Sequence, residues 1–97
     1  MVITILEAHV SKENWSALES AYKAGAQHRD AGLVQSFLIQ SVKEADLWRI
    51  VTVWQSQKIL EEMRRGVEIP RGVLMFSEAN AEPVLSIFNV VQKIAPE

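Results

Sequence analysis

The chain has no cysteine and only two histidines, and these shortages exclude several kinds of chemistry. Without a thiol there can be no disulfide, no thiolate metal site and no cysteine nucleophile. The imidazoles of His9 and His28 are not spaced as an i, i+4 pair, the spacing with which two histidines on one helix face bind a metal. The sequence therefore predicts no metal site.

Basic residues are not in excess either. Ten lysines and arginines stand against twelve aspartates and glutamates, which gives a net charge of -2. Proteins that bind nucleic acid usually carry a positive patch that neutralises phosphates. The four glycines are scattered and form no phosphate-binding loop, and no nucleophile is spaced with a base. We expect no nucleic acid partner, and hydrolase or kinase chemistry has no support.

Long apolar runs are also missing. No uninterrupted apolar stretch approaches the roughly 18 residues that are needed to cross a bilayer. The start of the chain lacks a basic region and a small-residue cleavage site, and Glu7 interrupts its apolar run. We expect a soluble, cytoplasmic protein without membrane contact.

What the chain does have is apolar side chains, which make up 48% of its 97 residues. This apolar fraction is more than one small domain needs for its own core. Within the predicted strand at residues 47–56 the apolar side chains lie on both faces, with Trp48, Ile50 and Trp54 on one and Val51 and Val53 on the other. Such a strand needs cover on both faces. In so short a chain, we expect a second copy of the protein to supply one cover.

The periodicity of the apolar residues and the turn residues predict the secondary structure. Strands are expected at residues 2–10, 33–42, 47–56 and 84–91, and helices at 12–31, from 57 to about 66, and from Pro70 to about Asn80. Ser11 and Ser56 are the expected caps of the first two helices, and Gly32 is the expected left-handed stop of the first.

The main elements follow the order β-α-β-β-α-β, which is the ferredoxin-like arrangement of α+β domains. We therefore predict a four-stranded antiparallel sheet with strand order 4-1-3-2 and both helices on one face. The opposite face remains bare. The simplest way to cover it is a homodimer in which the two sheets pack against each other.

Three segments carry a resemblance to a known family: residues 34–41 after Gly32, the strand 48–56 that passes into a capped helix, and residues 69–76. They resemble the antibiotic biosynthesis monooxygenases, which are dimeric α+β barrel proteins, and the likeness spans a single domain over residues 1–97. The resemblance implies a homodimer and a cofactor-independent monooxygenase that acts on a small aromatic or quinol. The alternative is a non-catalytic dimeric module of the same fold that binds a small ligand or another protein.

Haem degradation, which also occurs in that family, is not expected here. In those members it depends on an asparagine in the first strand and on a tryptophan and a histidine in and after the second helix. This chain has Thr4 and Glu7 in the first strand, Met63 at the helix position, and no histidine beyond His28. Because no axial imidazole is at hand, we expect no haem and no other cofactor.

Aromatic side chains are the expected walls of a closed substrate cavity of about 300 Å³ or more between the helices and the sheet. The candidates are Trp15, Tyr22, Phe37, Trp54 and Phe76, with Asn89 as a polar group that orients a substrate oxygen. Thr52 is a second polar residue in an apolar strand and needs a hydrogen-bond partner if it is buried. The spacing of the aromatics is equally compatible with an ordinary core.

Charged side chains at one mouth of the sheet are the candidates for catalysis. Antiparallel pairing of the first and third strands brings Arg49 beside Glu7 and His9. A carboxylate beside an imidazole fixes the tautomer of the ring and favours its charged form, so such a pair can accept a proton or hold an anion. The alternative is a salt bridge between Glu7 and Arg49 at the rim. His28 is interpreted as a charge near the end of the first helix.

Overall fold

The structure is a computed structural model that describes residues 1–27, 30–65 and 70–96. The chain forms strands β1 (Val2–His9), β2 (Leu33–Gln40), β3 (Leu47–Trp54) and β4 (Val84–Asn89), with helices α1 (Trp15–Gly25), α2 (Gln57–Arg65) and α3 (Arg71–Glu78). A short 3-10 helix, Lys12–Asn14, precedes α1. The predicted order of elements is confirmed, including the short helix that follows Pro70.

The four strands form one sheet in the order β2-β3-β1-β4, and each neighbouring pair is antiparallel. This is the predicted ferredoxin-like α+β topology. Residues that face each other across two strands share a side of the sheet. Thr4 of β1 lies opposite Thr52 of β3 and Ile87 of β4, so these side chains share the face on which the helices pack.

The first helix is shorter than predicted. It ends at Gly25, and its final turn is closed by a bond from the Ala26 amide to the Tyr22 carbonyl. The apolar positions of the predicted helix stop at this point, and helices in proteins depend mainly on the packing of an apolar face. Ser11 makes no side-chain cap. Gly32 has the predicted positive φ, at 85°, but it opens β2, and its carbonyl accepts a bond from the Gln55 amide.

The core lies between the sheet and the helices. Phe76 and Leu18 are fully buried, from α3 and α1 respectively. The rings of Trp15 and Trp48 meet edge to face, with centroids 5.9 Å apart. A smaller cluster joins Val2, Trp54 and Leu60. Aromatic and aliphatic burial of this kind supplies most of the stability of a domain of this size.

The other face of the sheet carries apolar side chains that no described helix covers. Phe37 is 46% exposed and Phe88 is 54% exposed. The same face, by the strand register, includes Ile3, Ile5, Ile39, Val51 and Val53. We call this set of seven side chains the open face. Its apolar character matches the prediction that the sheet needs a second cover.

Among the described residues, no helix is both long enough and apolar enough to cross a membrane. The cytoplasmic location expected from the sequence stays a prediction.

Candidate functional site

A pocket of about 670 Å³ lies between the helices and the sheet. Its floor is formed by side chains of β1, β2 and β3, and its roof by side chains of all three helices. The volume is within the range of sites that hold small organic ligands. Aliphatic side chains such as Leu6 and Ile50 make part of the floor, and Trp54 adds an aromatic ring. The pocket therefore exceeds the volume predicted for a substrate cavity, although it opens to solvent on one side.

A row of hydroxyl groups crosses the floor of this pocket. Ser36, Thr52 and Thr4 occupy facing positions on β2, β3 and β1. The Tyr22 hydroxyl reaches down from α1 and donates to Ser36 Oγ at 2.9 Å, and Ser36 Oγ lies 3.3 Å from Thr52 Oγ1. Thr52 is buried, and its hydroxyl has Ser36 as the hydrogen-bond partner that a buried polar group needs. We call Ser36, Thr52 and Thr4 the hydroxyl row.

Trp54 completes the polar side of the floor. Its indole Nε1 donates to Thr4 Oγ1 at 3.1 Å, which fixes both the ring and the hydroxyl. At the rim, Arg71 pairs with Asp30, with 3.2 Å between Nη1 and Oδ2. These two are the charged side chains among the described residues that line the pocket. The interior is consequently neutral and apolar, apart from hydroxyl groups that are held in fixed positions.

The predicted binding residues separate into several groups. Tyr22 and Trp54 line the pocket. Phe76 and Trp15 belong to the core, and the Trp15 indole donates to the Val10 carbonyl at 2.8 Å. Phe37 lies on the open face, on the opposite side of the sheet from the pocket. Asn89 is an exposed residue at the end of β4 and is not among the lining residues.

The predicted catalytic residues lie on the open-face side of the sheet. Glu7 and Arg49 face each other across β1 and β3, as predicted, and their side chains form an ion pair. His9 does not join them, because its Nδ1 lies 3.0 Å from Asp46 Oδ2 on the loop before β3. All these side chains are partly or largely exposed. The contacts match the alternative interpretation, a salt bridge at the rim, and a catalytic part for His9, Glu7 and Arg49 stays a prediction.

Several pocket residues were not predicted as site residues: Thr4, Ser36, Asp30 and Arg71. The hydroxyls had a signal in the sequence, because each is a polar residue within an apolar strand. The same argument did single out Thr52. No such signal marks Asp30 and Arg71, which come together across 41 positions of the chain.

Comparison with known proteins gives matches in structure only. The sequence matches no family model and no curated protein. SnoaB, a cofactor-independent oxygenase from Streptomyces nogalater, is 16% identical and superposes with a TM-score of 0.72 over 98% of this chain and 97% of its own. A protein from Deinococcus radiodurans, provisionally named an antibiotic biosynthesis monooxygenase, is 14% identical, with a TM-score of 0.73 over 100% and 99% of the two chains.

The chain has an antibiotic biosynthesis monooxygenase-like fold. This confirms the resemblance drawn from the three sequence segments and the fold that it implied. At these identities the likeness concerns the fold, and the monooxygenase-like fold fixes no substrate.

A further protein with this fold binds a tetrapyrrole. A variant of MhuD, solved with two manganese protoporphyrin IX molecules per active site, is 19% identical, with a TM-score of 0.73 over 99% of this chain and 100% of its own. The described lining residues of the present pocket offer neither an imidazole nor a thiolate to a haem iron. Of the remaining haem ligand types, the Tyr22 phenol donates to Ser36 Oγ and the Met75 thioether packs in the core, so the donor set does not fit haem.

Proposed function

We propose that the protein is a cofactor-independent, monooxygenase-like enzyme that acts on a small aromatic or quinol bound in the pocket. The supporting observation is the pocket itself, which combines about 670 Å³ of space and apolar walls with one row of oriented hydroxyls. Such a site suits a ring that carries one or a few oxygen atoms. The oxygenase SnoaB shares the fold, which is consistent with this activity.

Oxygenation without a cofactor requires the substrate itself to supply electrons to oxygen. The protein must bind the ring, stabilise its anion and keep water away from the reacting carbon. Here Trp54, Leu6 and Ile50 form an apolar surface for the ring, and the hydroxyl row faces its polar edge. One atom of O₂ enters the ring, the substrate gives up two hydrogen atoms with their electrons as it is oxidised to the quinone level, and the second oxygen atom leaves with these hydrogens as water.

The protein is further proposed to act as a homodimer that buries the open face. The apolar side chains of this face are much more extensive than the scattered apolar residues of an ordinary surface. Packing of two sheets face to face is a common solution for such a surface. It leaves the pocket of each subunit free, because the pocket lies on the other side of the sheet.

A second candidate function is a dimeric module that binds a small ligand without catalysis. It is favoured by the chemistry of the described lining residues, whose only carboxylate, that of Asp30, is paired with Arg71. A neutral hydroxyl is a weak base at neutral pH, so these groups hold a ligand more readily than they remove a proton from it.

Oxygen uptake with a panel of quinols and hydroxynaphthalenes separates the two functions. The enzyme is expected to consume O₂ with at least one compound without added metal or flavin. Ser36→Phe, which places a ring over the pocket floor, should abolish both uptake and ligand-induced thermal stabilisation. Val42→Phe is the matched control, because Val42 is 99% exposed on a loop outside the pocket. Stabilisation by a compound without any uptake would contradict the enzyme and support the binding module.

A further inference from the structure

We propose that Thr4 and Thr52 together bind one ring oxygen of the ligand and select the form that only accepts hydrogen bonds. That form is the oxyanion of an ionised phenol or enol. The inference rests on the proposed function in one respect, namely that the pocket holds an oxygenated ring. It deepens that function by naming the chemical state that is bound and the two residues that determine it.

The hydroxyl of Thr4 accepts a hydrogen bond, and its own hydrogen remains available for a ligand. A threonine hydroxyl carries one donor hydrogen and two acceptor lone pairs. In this structure Thr4 Oγ1 accepts from the Trp54 indole, which has no acceptor to offer in return. Among the described residues Thr4 Oγ1 has no other side-chain partner, so its hydrogen is available to an atom in the pocket.

The second hydrogen comes from the pair of Ser36 and Thr52. Tyr22 donates into this pair through Ser36 Oγ, so the pair receives one hydrogen bond from outside. Two hydroxyls share a single bond between them, and that bond uses one of their two hydrogens. When Ser36 donates to Thr52, the chain of bonds runs in one direction and the Thr52 hydrogen remains free. Chains of this kind polarise the last donor and strengthen it.

With Ser36 as the donor to Thr52, the two free donors lie side by side. Thr4 and Thr52 are directly opposite each other on antiparallel strands, where side chains are about 4.5–5.5 Å apart at Cβ. An oxygen seated above and between them can accept from both. The next facing pair on the pocket side of these strands is Leu6 and Ile50, which gives the rest of the ring an apolar surface. In such surroundings a bond from a fixed donor to a charged oxygen is stronger than in water.

This arrangement predicts a preference for charge on the ligand oxygen. A hydrogen bond to a charged group contributes about 1.5–3 kcal/mol, against about 1 kcal/mol for a neutral one, so each donor favours the anion by about twofold to about thirtyfold. A neutral phenol can give its own hydrogen to the remaining lone pair of either hydroxyl, so the preference depends on the charge of the oxyanion and not on a missing acceptor. Selecting the anion is the first step that cofactor-free oxygenation requires.

Binding of 4-nitrophenol tests the inference without any turnover, because its ionised and neutral forms absorb at different wavelengths. Titrations across pH under nitrogen give the affinity for each form, and 4-nitrotoluene reports on the apolar surface alone. We expect the wild type to bind the phenolate at least about tenfold more tightly than the phenol. Thr4→Val and Thr52→Val should each reduce this ratio several-fold while affinity for 4-nitrotoluene changes less than about twofold.

Conservative variants and a control separate a donor role from a structural one. Thr4→Ser and Thr52→Ser keep the hydroxyl and should retain the anion preference. Ser86→Ala deletes a hydroxyl from the opposite face of the sheet, where Ser86 faces Ile5, and should leave the ratio unchanged. If the valine variants bind phenolate and phenol in the wild-type ratio, the inference is wrong, although the pocket is still the ligand-binding site. If neither probe binds the wild type, the ligand pocket and the proposed function fail with it.

Discussion

At the scale of single residues, Gly32 is a position where both the backbone conformation and the space around it oppose a side chain. Its φ of 85° lies in the left-handed region, and a Cβ built there would meet Ile59 Cγ2 at 2.2 Å. Gly32→Ala should therefore lower the free energy of unfolding by about 1–3 kcal/mol through strain and crowding together. Urea unfolding followed by tryptophan fluorescence measures this loss.

The two causes can be separated by a second substitution. Ile59→Ala removes Cγ2, which is the most crowded atom, and leaves a contact of 3.2 Å to Cβ, so the backbone conformation becomes the main penalty. In that background Gly32→Ala should cost less than in the wild type. An equal cost in both backgrounds would mean that Ile59 moves aside freely and that strain at Gly32 accounts for the whole effect.

His9 gives the residue-scale test of the predicted catalytic cluster. The prediction requires that His9→Ala abolish turnover or ligand binding without unfolding the protein or changing its oligomeric state. His9 contacts Asp46 at 3.0 Å and lies across the sheet from the pocket. Full turnover in the variant, measured with the compound that gives oxygen uptake, would leave Glu7 and Arg49 as a surface ion pair that contributes about 0–1 kcal/mol.

At the scale of elements, the two predicted helix caps differ in the structure. The Ile59 amide donates to Ser56 Oγ at 3.2 Å, which is the expected bond of a capping serine at the start of α2. Ser11 precedes the 3-10 turn and makes no such bond. Ser56→Ala should cost about 1 kcal/mol in the free energy of unfolding.

Ser11→Ala is the matched control for this measurement. It makes the same chemical change at the entry of a helical segment and should cost less than about 0.5 kcal/mol, as most surface substitutions do. Equal losses in the two variants would show that the bond to Ser56 does not stabilise α2.

Sequence patterns predict the ends of some strands and helices better than those of others. The extent of β3 was predicted closely because both its faces are apolar and its ends are marked by polar residues. The extent of α1 was overestimated: the apolar positions of the predicted helix end near Gly25, and the helix itself ends there. His28 lies outside the described residues, so its interpretation as a charge near the end of the first helix stays a prediction.

At the scale of the whole molecule, the proposed homodimer depends on the open face. Phe37→Glu or Phe88→Glu places a charge in the interface of the proposed dimer, from which water is excluded. Either variant should be monomeric by light scattering at concentrations where the wild type is expected to be dimeric. Both side chains are about half exposed in the single chain, so the fold itself should survive. Val42→Glu makes a similar change on a fully exposed loop residue and should leave the dimer intact.

A monomeric wild type at the same concentrations would contradict the dimer. Ligand binding to the monomeric variants is the companion measurement. Because the pocket and the open face are on opposite sides of the sheet, affinity for a pocket ligand should change little when the dimer is lost.

The sequence by itself determined the order of the elements, the α+β class and the partition of most strands into two faces. The physical reason is that these features depend on residues close together in the sequence. The helical and extended periodicities are patterns of consecutive residues, and caps and turns depend on a few neighbours. Thr52 could be singled out on this basis, because a polar residue among apolar ones in a strand must find a partner.

Only the tertiary structure decided which residues form the pocket. In β2 the register shifts between Leu33 and Gln35, and such an irregularity moves every later side chain to the other face. It places Ser36 over the pocket and Phe37 on the open face. The meeting of Asp30 with Arg71 likewise depends on how separate elements come together. Contacts between residues far apart in the sequence are set by the packing of the whole domain, so no short stretch of sequence predicts them.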